Sequence, residues 1–173
     1  MKNNIFSVIV SMSIVLFNIL GCTTLPSYRE ASNAQIMTGK FFADLQYQNY
    51  EKSYDYFSDG LKRTITLEQH VGLMRLLQDE LGSINSYKTL PNNLPLPHTF
   101  LDEETFNDPF RDDGSIVWFY ELHYEKASVE IKIEVKRENG QYLIESFAYL
   151  SDRIYSDARI RDKIKALGIP IIK

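Results

Sequence analysis

Glu121, His123 and Glu125 occupy alternate positions. In an extended chain all three side chains share one face, with neighbours about 6.6 Å apart. Two such groups can converge on a metal ion, because imidazole and carboxylate both serve as ligands. A carboxylate beside a histidine can also tune a general base. The plainer reading is a solvated sheet face, which needs the same residue types for no chemistry. The spacing fixes no third catalytic partner, so the trio stands as a catalytic candidate without a defined mechanism and no metal site is assigned.

Asp102, Glu103, Glu104, Asp108, Asp112 and Asp113 offer the oxygens that calcium prefers. Counted from Asp108, however, the third position is Phe110 and Gly114 falls one place late, so the calcium-loop pattern is not met. A solvated acidic loop accounts for the run. The phosphate-loop, dinucleotide, zincin and hydrolase-elbow strings do not occur. No cofactor is expected. The net charge of −4 argues against nucleic acid as a partner.

The single cysteine, Cys22, follows an apolar run from Ile5 to Leu20 that starts behind Lys2. The run is short for a span of a bilayer core about 30 Å thick. A positive start, an apolar middle and a small-residue exit make a secretory leader. The exit, Ile19-Leu20-Gly21-Cys22, resembles the lipobox of bacterial lipoproteins. That resemblance implies cleavage between Gly21 and Cys22 and acylation of the Cys22 thiol. It places residues 1–21 in the leader and 22–29 in a tether. Several acyl chains hold a protein durably to a bilayer, so the implied partner is a membrane. The implied location is the cell envelope, at the periplasmic face of the outer membrane in a Gram-negative host, because Thr23 is not the retention Asp.

The remaining chain has the length of one domain. Ser27 and Glu30 fit a capping box, and Ala34, Met37, Phe41 and Leu45 recur at helical spacing. Asn49 is placed to cap a helix carrying Tyr50, Tyr54 and Phe57, which Ser58-Asp59-Gly60 would end. Thr66 and Gln69 form a second capping box before the stripe Leu67, Val71, Met74, Leu77 and Leu81, and Gly82 supplies the stop. Residues 84–90 read as extended. Residues 91–114 hold four of the six prolines and read as a long acidic loop. Ile116 to Lys126 alternates, with Ile116, Trp118, Tyr120, Leu122 and Tyr124 on one side. Val129, Ile131, Ile133 and Val135 alternate with charges, and Asn139-Gly140 turns the chain into a return strand from Tyr142 to Leu150. Ser151 to Leu167 reads as a closing helix.

Helices followed by an antiparallel meander predict an α+β fold, with N-terminal helices on a curved sheet and a C-terminal helix. Residues 30–150 resemble the NTF2-like (cystatin-like) cone, on the run Phe41–Tyr50–Phe57, the Leu81-Gly82 helix end and the Val129–Tyr149 hairpin. Residues 151–173 and the proline-rich insertion depart from the minimal pattern. The resemblance implies a pocket at the open end of the cone, whose lining here would be Phe42, Tyr54, Trp118, Tyr120 and Tyr124. Ordinary core explains these rings as well. Catalytic relatives use buried Asp, His or Tyr; Asp44, Asp55 and His70 stand on helices, where exposed polar positions are the expectation. The leading expectation is a lipid-anchored, non-enzymatic binding or protein-interaction module. The alternatives are a small apolar-ligand carrier and an isomerase- or dehydratase-like enzyme. The exposed sheet face would serve a protein partner or a homodimer.

Overall fold

The computed structural model describes residues 28–91 and 110–169, apart from 152, 153 and 155. Residues 1–27, with Gly21 and Cys22, and most of the proline-rich stretch (92–109) lie outside the described residues.

Helix α1 runs from Tyr28 to Gln46. Ala34, Thr38, Phe41 and Leu45 are buried along one stripe, which lays the helix on the sheet. A Cβ at Gly39 would lie 3.4 Å from the Tyr87 hydroxyl, so the missing side chain permits a close approach of helix and strand. The chain then turns through Gln48, at a φ of 59°.

The next segment differs from its sequence pattern. Helix α2 covers only Tyr50–Ser53, a 3₁₀ turn covers Tyr54–Tyr56, and Phe57 is extended. Asn49 makes no side-chain cap; its amide donates to Asp44 Oδ1 at 3.3 Å instead. Ser58-Asp59-Gly60 starts an element rather than ending one. Ser58 is extended and its Oγ accepts from Leu61 N at 3.0 Å, which caps α3 (Asp59–Thr64).

Helix α4 spans Leu67–Leu81, with the Thr66–Gln69 capping box formed in both directions. Its buried face is His70, Val71, Leu73, Met74, Leu77 and Leu81. Leu67, read as part of that stripe, is 41% exposed, and His70 takes the inward place. Gly82, at a φ of 85°, ends the helix.

Four strands form an antiparallel meander in the order β1 (Ile84–Leu90), β2 (Ile116–Tyr124), β3 (Ser128–Glu138) and β4 (Gln141–Tyr149). The inner face carries Ile116, Trp118, Tyr120, Leu122 and Tyr124 from β2, and Val129, Ile131, Ile133 and Val135 from β3. In β4 the register slips opposite Glu134/Val135, so Glu145 is an extra residue. That bulge lets Ile144 and Tyr149 both reach the core despite their odd separation, and it bends the strand. The sheet is thus curved and open. Helix α5 (Ala158–Ala166) follows, capped by Asp157. The helix expected from Ser151 is interrupted: Ile154 and Ser156 are helical, Asp157 is extended (φ −73°, ψ 106°), and α5 starts anew at Ala158. Ile160 and Ile164 dock it on α4. The fold is α+β, with N-terminal helices on a curved antiparallel sheet and a C-terminal helix. No helix among the described residues is long and apolar enough to cross a membrane.

Candidate binding cleft

The hairpin joining β3 to β4 has a two-residue turn, Asn139 (φ 50°) and Gly140 (φ 84°). Positive φ at both positions is the type I′ geometry, which matches the twist of the strands. Glu138 and Gln141 therefore close the turn as a hydrogen-bonded pair, and Arg137↔Tyr142 is the next, non-hydrogen-bonded pair. The backbone N–H and C=O of Tyr142 point away from β3, toward the free edge of the sheet.

Two residues further along, the chain covers that edge itself. Phe57 makes a parallel bridge with Ile144, and Ser58 N donates to Ile144 O at 2.9 Å. Upstream of Phe57 the 3₁₀ turn carries Tyr54–Tyr56 off the edge. A cleft of about 990 Å³ opens between the strand and the departing chain. Helix α1 forms one wall with Glu30, Asn33, Ile36, Met37 and Lys40. Lys52, Asp55 and Tyr56 form a second wall, and Arg137 and Gly140–Leu143 form the third.

Asp44 sets the electrostatics of the second wall from behind. Its carboxylate accepts from Lys52 Nζ at 2.9 Å, Tyr56 Oη at 3.0 Å and Asn49 Nδ2 at 3.3 Å. Burial pushes its pKa up, but these hydrogen bonds and the Lys52 charge outweigh burial and leave it below the usual value. Lys52 is raised in turn, chiefly by its bond to Asp44. Burial, then the bond to Asp44, raises Tyr56. Across the cleft Arg137 reaches Glu30 at 3.5 Å. Lys40 is exposed and pairs with no acid among the described residues. Ile36, 57% exposed, adds apolar surface.

Compared with known proteins, the chain matches no family model, no curated protein and no solved structure. The chemistry of the cleft therefore has to be read from its own lining.

The residues singled out from sequence lie elsewhere, Asp55 excepted. Phe42, Trp118, Tyr120 and Tyr124 are buried in the core. The Phe42 ring packs on Tyr87 at 4.4 Å and Tyr120 at 4.8 Å, and Tyr120 Oη bonds Thr38 Oγ1 at 2.9 Å. Tyr54 is half-buried and donates to Ile65 O at 3.0 Å. Glu121 pairs with Lys88, its neighbour across β1, and stands 3.9 Å from His123 Nε2. His123 Nδ1 bonds Ser128 Oγ at 2.8 Å. Glu125 is not on that face: β2 ends at Tyr124, and the Glu125 N–H turns back to Ser83 O. Among the described residues no three His, Cys, Asp or Glu gather to hold a metal ion.

Asp44 and His70, expected on exposed helix faces, are buried; Asp55 is exposed. His70 Nε2 lies 2.7 Å from Ser53 Oγ. This is the distance of an activated hydroxyl, but Ser53 donates its one hydrogen to Tyr50 O at 2.8 Å. His70 must then donate from Nε2, which leaves Nδ1 unprotonated and without a partner. Both side chains are fully buried, and the Phe57 ring lies 4.8 Å from the imidazole. The pair locks α2 to α4.

The sequence held little sign of the cleft. Its lining is ordinary polar and apolar residues spread from Glu30 to Leu143, and the Asn139-Gly140 turn marked one wall.

Proposed function

We propose that this chain is a lipid-anchored lipoprotein of the cell envelope, held by an acylated Cys22. We further propose that its NTF2-like body is a non-enzymatic binding module working through the cleft beside β4. One observation carries the binding reading. The apolar interior is filled by packed rings, whereas the large open space, about 990 Å³, lies at the surface behind a mixed polar and apolar lining. A site of that size and character suits recognition. The packing of Phe42, Trp118, Tyr120 and Tyr124 favours surface binding over an apolar-ligand carrier. The engagement of Asp44 by three donors, and the enclosure of His70, favour binding over proton-transfer chemistry. The anchor reading rests on Ile19-Leu20-Gly21-Cys22.

Fractionation of cells expressing the full chain and its Cys22→Ser variant tests the anchor. The native chain should sit in the membrane fraction with the mass of residues 22–173 plus acyl chains. Cys22→Ser should retain its leader and lack the acyl mass. An uncleaved, unacylated native chain contradicts the proposal.

A further inference from the structure

The edge of β4 that borders the cleft is half used. At Ile144 it takes the extended backbone of Phe57–Ser58, with Ser58 N donating to Ile144 O at 2.9 Å. At Tyr142 the same edge presents a backbone donor and acceptor to the cleft, because the turn at Asn139-Gly140 puts Arg137↔Tyr142 in a non-hydrogen-bonded pair. The 3₁₀ turn removes the strand segment that would otherwise continue along this edge. An open sheet edge beside a groove is the arrangement by which extended peptides are recognised: main-chain bonds hold them, and flanking walls read their side chains.

From this geometry we infer that the cleft takes an extended polypeptide segment of a partner protein, paired with β4 at Tyr142 and carrying acidic side chains opposite Lys40. The inference rests on the binding reading above and names its ligand class. Charge decides the acidic preference. Lys52 is held by Asp44 and Arg137 reaches Glu30, whereas Lys40 on the α1 wall pairs with no acid among the described residues; the exposed acid of the cleft, Asp55, stands with Lys52 on the second wall, so the acidic side chains of the segment belong on the α1 side. Side chains alternate along an extended segment, so every second one faces the same wall. The exposed Ile36 lies four residues before Lys40 on the same helix, one turn away, so an apolar residue of the segment has a surface to cover.

The test uses the full chain in detergent micelles, labelled with ¹⁵N, and three synthetic heptapeptides. The first alternates valine and aspartate, the second alternates valine and lysine, and the third repeats the first with N-methylated peptide bonds. The aspartate peptide should bind and slow exchange of the Tyr142 amide hydrogen. N-methylation, which removes the main-chain donors, should weaken it about tenfold. The lysine peptide should bind at least about fivefold more weakly, and Lys40→Glu should reverse that order. Shifts confined to the side walls, with the Tyr142 amide exchanging as before and N-methylation without effect, would overturn the inference while leaving the cleft as a binding site. Absence of binding by all three peptides also overturns it; the cleft reading is judged separately by cross-linking at Ile36 in cells.

Discussion

The Gln69 side-chain amide donates to the Leu167 carbonyl at 3.1 Å and also to that of Gly168 at 3.3 Å. Its Oε1 accepts from Thr66 N at 2.9 Å. One side chain thus completes the capping box of α4 and satisfies carbonyls at the end of α5. Gln69→Glu should keep the first role and lose the second, since a carboxylate has no hydrogen to donate and repels carbonyl oxygens. Faster amide exchange confined to α5, with a stability loss of about 1–2 kcal/mol in urea, is the expected result. Gln69→Ala should lose more, because both ends suffer.

Asp44 binds Lys52, Tyr56 and Asn49 at once. Asp44→Ala should destabilise the chain by about 1–3 kcal/mol and free the Lys52 wall of the cleft. Because the folded carboxyl has a depressed pKa, its contribution is present above the unfolded value near 3.8 and is lost as pH falls through the folded one. Urea unfolding at pH 7 and below pH 3 should therefore show a smaller difference between native and variant chains in acid.

His70 titrates in another window. Burial holds its pKa down to about 4, with the nearby Tyr50 carbonyl acting the other way. The unfolded chain takes up the proton near pH 6.5. Stability is thus fully present above about pH 6.5 and lost as pH falls through about 4, by roughly 3 kcal/mol from this group. His70→Leu should flatten the fall between pH 7 and 4.5. An equal loss in both chains would show that other groups drive it.

Gly82 has a φ of 85° and a ψ of −172°, a region essentially confined to glycine. A Cβ there would lie 2.5 Å from Glu125 Oε2 and 2.7 Å from Glu125 Cβ. Gly82→Ala should cost about 3 kcal/mol from strain and contact together. Adding Glu125→Ala should recover only part, since the alanine retains the Cβ. Thermal melts of the two variants decide this.

Where local rules and tertiary packing agreed, the fold could be read directly. Thr66 and Gln69 cap α4 as their types require, and the charged alternation around Val129–Val135 marks β3 without ambiguity. Failures arose where a residue had two local uses. Ser58-Asp59-Gly60 suits a turn, but Ser58 Oγ captures Leu61 N and opens a helix. Asn49 suits a cap, but Asp44 takes its amide. Leu67 fits the stripe of α4 by type, yet lies at the helix start beyond the packed interface. The cleft was less legible still. It exists because the 3₁₀ turn at Tyr54–Tyr56 leaves a strand edge from a distant part of the chain, a relationship no local pattern encodes.

That cleft is the centre of the account, and a photo-cross-linking amino acid placed there in living cells tests it most directly. Ile36 lines the cleft and is 57% exposed; Tyr47, one residue past the end of the same helix and 78% exposed, is not part of the lining. Position 36 should give an adduct of one defined mass, lost when Lys40→Glu is added, and position 47 should give none of that mass. The same adducts from both positions, or adducts from position 47 alone, would contradict it.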